Sequence, residues 1–214
     1  MSRRNVVLAI SILAIVGFAI AALLYNRATT VPQTTAAVAQ SSALERFGSP
    51  SIGPATAPVT VVEFFDPSCE SCRAFYPIVK QIMAEYPEDI RLVVRYLRLH
   101  VGSEEVIRLL ETARKQGVYV PVLEAVLEAQ PQWHDDAKAL AAWDAAAQAG
   151  LDIAKAREEM MAPAITATIE RDAADGKTLG VSGTPTFFVN GKPLTNFGAQ
   201  PLYELIVSEI NAAQ

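Results

Sequence analysis

Apolar positions follow three different rhythms along this chain. From Val6 to Leu24, a run of 19 residues, every position is apolar except Ser11 and Gly17. At about 1.5 Å per residue such a run nearly matches a ~30 Å hydrocarbon core. Arg3 and Arg4 precede it and only Arg27 follows closely. The positive-inside bias therefore predicts a single-pass anchor over residues 1–27, with the N-terminus in the cytoplasm and the remainder outside. The competing reading is a cleaved signal peptide, because Ala37-Val38-Ala39 has the small-x-small form, although it lies well beyond Leu24. Residues 28–49 show no helical periodicity and read as a flexible linker, the stretch Thr29–Ser42 carrying no charge at all.

Beyond Pro58 the rhythm becomes that of strands and amphipathic helices. Val59-Thr60-Val61-Val62-Glu63-Phe64-Phe65 is β-branched and aromatic, bounded by Pro58 and Asp66-Pro67, which predicts a buried strand. After it, Phe75, Val79, Ile82, Met83 and Tyr86 share one helical face, with Pro77 inside the helix. Ile90–Leu97 predicts a second strand. Ser103 and Asp136 are candidate caps for helices carrying Val106, Leu109, Leu110 and Ala113, and Leu140, Trp143 and Ala147. A third helix is expected from Asp152 to before Pro163, and a fourth through Ile165, Thr168 and Ile169. Residues 103 to about 175 thus form a helical insertion between strands. Strand character returns at Pro185–Val189, Asn190-Gly191 signals a hairpin, and Pro201 opens a final helix. The order predicts an α/β domain with a mixed sheet over residues 50–214, without internal repeats.

Charge narrows the function. Three of the 18 basic residues, Arg3, Arg4 and Arg27, precede the first acidic one, Glu45, which leaves 15 against 23 and a formal −8 for the remainder. Such a balance argues against nucleic-acid binding. The two cysteines, Cys69 and Cys72, are separated by two residues, which excludes a framework of long-range disulfides. A zinc site of the usual thiolate and imidazole type would need both His100 and His134 to converge on the pair; no resident metal is expected.

The pair sits where a buried strand gives way to a helix. Disulfide exchange needs an accessible thiolate and a second thiol to resolve the mixed disulfide, and Cys-x-x-Cys at a helix start supplies both. Cys69 lies where free N–H groups and the helix dipole favour the anion and is the expected nucleophile; Cys72, about one turn on, is the expected resolving thiol. The alternative is two incidental buried cysteines.

The segment Val61–Cys72, together with Gly180-Val181-Ser182-Gly183-Thr184-Pro185-Thr186-Phe187-Phe188-Val189-Asn190-Gly191, resembles the DsbA-like family of the thioredoxin superfamily. The resemblance implies a thioredoxin-like fold with a helical insertion, and it places a cis-proline loop at Thr184-Pro185, with Thr184 offering its backbone to substrate. From the residues alone Pro185 could equally begin a strand in the trans form. Glu63 matches the buried acid that serves the resolving cysteine in this superfamily; its own position, six residues before Cys69 in an apolar run, raises its expected pKa if it is buried, and leaves open a solvent-facing edge. The chain departs from the family's strong oxidants in having Glu70 and Ser71 between the cysteines rather than Pro and His. An ionised Glu70 would oppose the Cys69 thiolate by roughly 1 kcal/mol, about one pKa unit, which points to a weaker oxidant or an isomerase unless solvent screens it.

These readings converge on a thiol–disulfide oxidoreductase, oxidase or isomerase, using Cys69, Cys72 and Glu63, with Thr184 and Pro185 for substrate and no cofactor beyond its own disulfide. The expected partners are exported polypeptides with cysteines and a membrane redox partner. The expected location is the inner membrane with a periplasmic catalytic domain, or the soluble periplasm after cleavage. With no heptads in the linker, a monomer is expected. The rivals are a tethered dithiol reductase and a soft-metal module holding Cu(I) between the two thiolates. His100, His134, Trp133 and Trp143 receive structural readings, Glu104-Glu105 a solvated face, and Phe64, Phe65 and Phe187 a contribution to an apolar surface near the pair.

Overall fold

The computed structural model describes residues 12–23 and 42–213. Residues 12–23 are helical and belong to a unit of their own. The rest of the predicted anchor, the Ala37-Val38-Ala39 site and the linker as far as residue 41 lie outside the described residues. Among the described residues, no helix is long and apolar enough to cross a membrane.

Two parallel strands form the centre of the larger unit, Ser41–Gln214. β1 (Ser51–Ile52), β2 (Val59–Phe65), β3 (Ile90–Tyr96), β4 (Thr186–Val189) and β5 (Lys192–Pro193) make a five-stranded mixed sheet in the order β1-β3-β2-β4-β5. β2 and β3 run parallel from Val59 opposite Ile90 to Phe65 opposite Tyr96, joined through α1 (Glu70–Glu85), and β4 lies antiparallel to β2 with Glu63 opposite Phe187. Asn190 and Gly191 both adopt the left-handed conformation that a two-residue hairpin requires, and close β4 onto β5.

Side-chain alternation divides β2 between two cores. Val59, Val61 and Phe65 enter the larger core with α1 and the helical insertion, whereas Val62 and Phe64 join Leu44, Val93, Leu97 and Phe188 in a smaller one. Glu63, in phase with Val61 and Phe65, therefore belongs to the face that also carries Cys72. Its solvent-facing alternative is excluded by an exposure of 2%.

The insertion comprises α2 (Ser103–Lys115), α3 (Tyr119–Glu128), a 3-10 turn (Gln130–Gln132), α4 (Leu140–Gln148), α5 (Ile153–Glu159) and α6 (Pro163–Thr178); α7 (Ala199–Ala213) closes the fold. α3 is absent from the sequence-based reading. Its Pro121 is the third helical residue, where an N–H would have no partner within the helix, so the proline is compatible with the first turn. The helix expected to start at Asp152 is α5, which Asp152 caps by accepting from Lys155 N at 3.0 Å. Ser103 does not cap α2: Gly102 holds that position, and the Ser103 hydroxyl is turned to Asp66 Oδ1 at 2.6 Å instead. Gly102 has φ 78° and a side chain there would meet Asp136 O at 2.8 Å, so this turn needs glycine on both counts.

The linker also ends earlier than expected. Ala43 and Leu44 are buried, their carbonyls accept from Arg95 Nη1, and Arg46 pairs with Asp175 at 2.7 Å. Residues 43–46 are part of the fold because α6 and β3 supply apolar and charged partners that local sequence does not reveal. Glu104 and Glu105 are engaged rather than simply solvated, Glu104 with Arg98 and Arg108 and Glu105 with Trp143 Nε1 and Arg157.

Candidate active site

The end of β2 and the start of α1 are joined by a turn built around Asp66. Its backbone carbonyl accepts from Cys69 N at 3.0 Å. Its fully buried carboxylate accepts from Ser68 N (2.9 Å) and the Ser103 hydroxyl through Oδ1, and through Oδ2 from Leu99 N and His100 Nδ1, both at 2.8 Å. The loop after β3 is thereby fastened to the loop that carries the cysteines. Nothing in the residue pattern singled out Asp66; its place directly before Pro67 in the motif was the available signal.

Cys69 caps α1 with extended backbone angles and no side-chain capping bond, so the first-turn N–H groups remain free for its sulfur. Both cysteines are free thiols. Cys69 is 7% exposed and its Sγ–H donates to Thr184 O at 3.3 Å; Cys72 is 0% exposed and its Sγ accepts from Asp66 N at 3.5 Å. Cys69 falls to about 5, chiefly because the Cys72 thiol hydrogen-bonds to its thiolate, with the Thr184 hydroxyl and the N–H groups of Cys72 and Ser71 helping and burial opposing. That Thr184 hydroxyl is buried and has no partner while Cys69 is protonated, which makes it available to the thiolate. Cys72 is driven far upward by burial first and by its bond to Cys69 second. Glu63 rises to about 8, through burial first and the Cys69 charge second.

The structure brings Cys69, Cys72, Thr184 and Pro185 together, with the Thr184-Pro185 peptide in the cis form, and ties Glu63 to the pair electrostatically. Ser71 lines the adjoining groove. Glu70 is exposed and is not among the causes that set the Cys69 thiol, the case in which water is expected to screen its carboxylate. The aromatic surface is also carried by other residues. Phe64, Phe65 and Phe187 are buried, whereas Phe197, 53% exposed, lies 4.4 Å from Phe75 in ring-centroid distance. It edges an open groove of about 290 Å³ with Ser71, Ser182, Thr184, Pro185, Leu194 and Phe187, the last as expected. His100 is held by Asp66, His134 lies 3.2 Å from Asp135, and Trp133 and Trp143 are core residues. Among the described residues, no group of three or more His, Cys, Asp or Glu could hold a metal ion.

Comparison with known proteins agrees with this geometry. The family model described as thioredoxin matches residues 45–206. A thioredoxin-like oxidoreductase from Silicibacter pomeroyi is 30% identical with a TM-score of 0.70, covering 81% of this chain and 98% of that one. BdbD from Bacillus subtilis is 26% identical with a TM-score of 0.69, covering 77% and 94%. The Wolbachia pipientis alpha-DsbA1 shares the fold at a TM-score of 0.71 and 18% identity, covering 82% and 97%. Among curated sequences, the Na(+)/H(+) antiporter NhaA of Herminiimonas arsenicoxydans is 33% identical over 142 residues, 66% of this chain and 22% of the antiporter. The chain spans about a fifth of the length of such relatives. With the family model spanning most of the chain and the Cys-x-x-Cys motif of Cys69 and Cys72 at the head of α1, this chain belongs to the thioredoxin-like DsbA family of oxidoreductases.

Proposed function

We propose that the protein oxidises or rearranges cysteines in exported polypeptides, with Cys69 as the exchanging sulfur, Cys72 as the resolving one and Glu63 as the proton donor and acceptor for Cys72. In the oxidising direction a substrate thiolate attacks Cys69 Sγ and the Cys69–Cys72 bond breaks. Cys72 leaves as a thiolate and takes a proton from Glu63. A second substrate thiolate then attacks the substrate sulfur of the mixed disulfide and expels Cys69 as a thiolate, so two electrons pass from substrate to enzyme. The groove beside Thr184, Pro185 and Phe197 offers a substrate chain both a backbone edge and an aromatic side chain.

The observation that carries this reading is the asymmetry of the pair: Cys69 is stabilised as an anion at about 5 beside an open groove, while Cys72 is enclosed. A stabilised thiolate is a good leaving group and favours the reduced enzyme, hence oxidation of substrate. At about 5 the thiol lies between the thioredoxin value near ~7 and the strong-oxidant value near ~3.5, which favours an oxidant of intermediate strength over a dedicated reductase. The apolar run from Val6 to Leu24 and the arginines before it support export with a membrane tether.

The test uses the full chain with a reduced, unfolded polypeptide substrate. Cys69→Ser is expected to abolish exchange, and Cys72→Ser to accumulate the mixed disulfide at Cys69. Exchange that survives Cys69→Ser, or a trapped adduct on Cys72, refutes the assignment.

A further inference from the structure

Gln130 lies between α3 and α4, far from the redox motif in sequence, yet its side chain is spent entirely on that motif. The residue is fully buried, and its backbone carbonyl is held in the 3-10 turn by Trp133 N at 3.0 Å and His134 N at 2.9 Å. The Trp133 indole donates in turn to Val126 O at 2.9 Å. From this fixed base, Nε2 donates to Pro67 O at 2.6 Å and to Cys69 O at 3.0 Å, while Oε1 accepts from Arg73 Nε at 3.0 Å. Only one orientation of the amide serves these partners, because two are carbonyls and the third is a guanidinium that can only donate. Pro67 and Cys69 flank the turn into α1, and Arg73 belongs to its first turn. The Cys69 carbonyl also accepts the helical bond from Arg73 N at 3.1 Å.

We propose that Gln130 is a positioning residue for the redox pair: by engaging the Pro67 and Cys69 carbonyls it holds the first turn of α1 so that its N–H groups stay aimed at the Cys69 sulfur. The inference rests on the reading of Cys69 as the exchanging thiol. The physical argument rests on Pro67 O, since the Cys69 carbonyl keeps Arg73 N: a buried carbonyl deprived of its donor turns towards another one. The donors at hand are the N–H groups that otherwise serve the sulfur. Through Gln130 the helical insertion thus contributes to the reactivity of a cysteine that none of its helices carries.

Three variants of the full chain test this. Gln130→Met keeps the reach without the amide, and Gln130→Asn keeps the amide one methylene too short. Arg73→Lys, at an exposed position, keeps the charge but loses the planar donor that orients the amide. The readouts are thiolate ultraviolet absorbance against pH and the equilibrium with glutathione, with melting temperature alongside. In the Gln130 variants the Cys69 titration is expected to move up by about one pH unit, and the equilibrium to shift roughly tenfold towards the protein disulfide, about 30 mV; Arg73→Lys is expected to move both the same way by less. A lower melting temperature with an unmoved titration and equilibrium, in whichever variants fold, overturns the proposal. Cys69→Ser in the wild-type background keeps the two readings apart, since activity without Cys69 refutes the mechanism itself.

Discussion

The two faces of the central sheet each bury carboxylates and treat them in opposite ways. On the face of the smaller core, Arg95 is fully buried over the Phe64 ring and bonds Asp172 Oδ1 at 2.9 Å and Asp175 Oδ2 at 2.6 Å, while Asp172 Oδ2 accepts from Tyr96 N at 2.8 Å. Burial raises Asp172 in spite of Arg95; for Asp175 burial acts in the same sense, but the bonds from Arg46 and Arg95 outweigh it and the group is lowered. On the face of the larger core Glu63 is just as enclosed, and only burial and the Cys69 charge shift it. Asp175, bonded by two fixed cations, is held towards its ionised form, and the cluster joins α6 to the sheet. A carboxylate left without a cation is poised to change protonation near neutral pH, as a proton carrier must be.

Breaking the paired side has the largest effect on stability. Arg95→Met leaves two buried carboxylates without their common cation and is expected to destabilise the fold by about 3–5 kcal/mol in chemical denaturation. The glutathione equilibrium of the surviving folded protein should be unchanged, because the cluster and the redox pair lie on opposite faces. A large redox shift in that variant would show that the faces are coupled.

Glu63→Gln comes next and gives the reverse pattern. Glu63 rises from 4.5 to about 8 on folding. The folded state therefore prefers the protonated acid, and this contribution is complete below 4.5 and lost as pH rises through 8. The wild type should lose stability relative to Glu63→Gln across that window, at no more than about 1.4 kcal/mol per pH unit. Cys69, lowered from 9.0 to about 5, contributes the opposite slope, present above 9.0 and lost as pH falls through 5. It does so in both proteins and cancels to first order. Exchange through Cys72 should slow on the order of a hundredfold. Because the Cys69 charge supports the raised value, the Glu63 titration should move down when the disulfide forms, which infrared spectroscopy of the carboxyl can follow.

What the sequence disclosed and what it hid follow the range of the interactions involved. β2, the cysteine turn, α1 and the Asn190-Gly191 hairpin rest on alternation and turn chemistry within a few residues, and all were legible. The cis Thr184-Pro185 loop was legible through resemblance alone. The direction of Glu63 was not, since β2 is buried on both faces and period two does not say which is which. Asp66 and Gln130 were invisible for a related reason: Asp66 meets His100 and Ser103 at 34 and 37 residues' distance, and Gln130 meets Arg73 at 57. Phe187, an aromatic near the motif, belongs to the core and also lines the groove, where Phe197 joins it because Phe197 follows the hairpin and returns there.

The smallest effect is expected at the rim of the paired cluster, where it tests whether burial or mere pairing makes the difference between the faces. Arg46 bonds Asp175 through Nε at 2.8 Å and Nη2 at 2.7 Å, with geometry as good as that of Arg95, but its side chain is 35% exposed. Water screens an exposed cation and hydrates the partner once the cation is removed. Arg46→Ala should accordingly cost no more than about 1 kcal/mol, several times less than Arg95→Met, and the loss should shrink as salt is raised. The carboxylate it leaves behind still has Arg95. A loss as large as that of Arg95→Met would mean that the two arginines hold Asp175 as one unit and that residues 43–46 clamp the fold through it. A small, salt-sensitive loss would place the strength of this face in the buried arginine, leaving the N-terminal segment to pack against a cluster that stands without it.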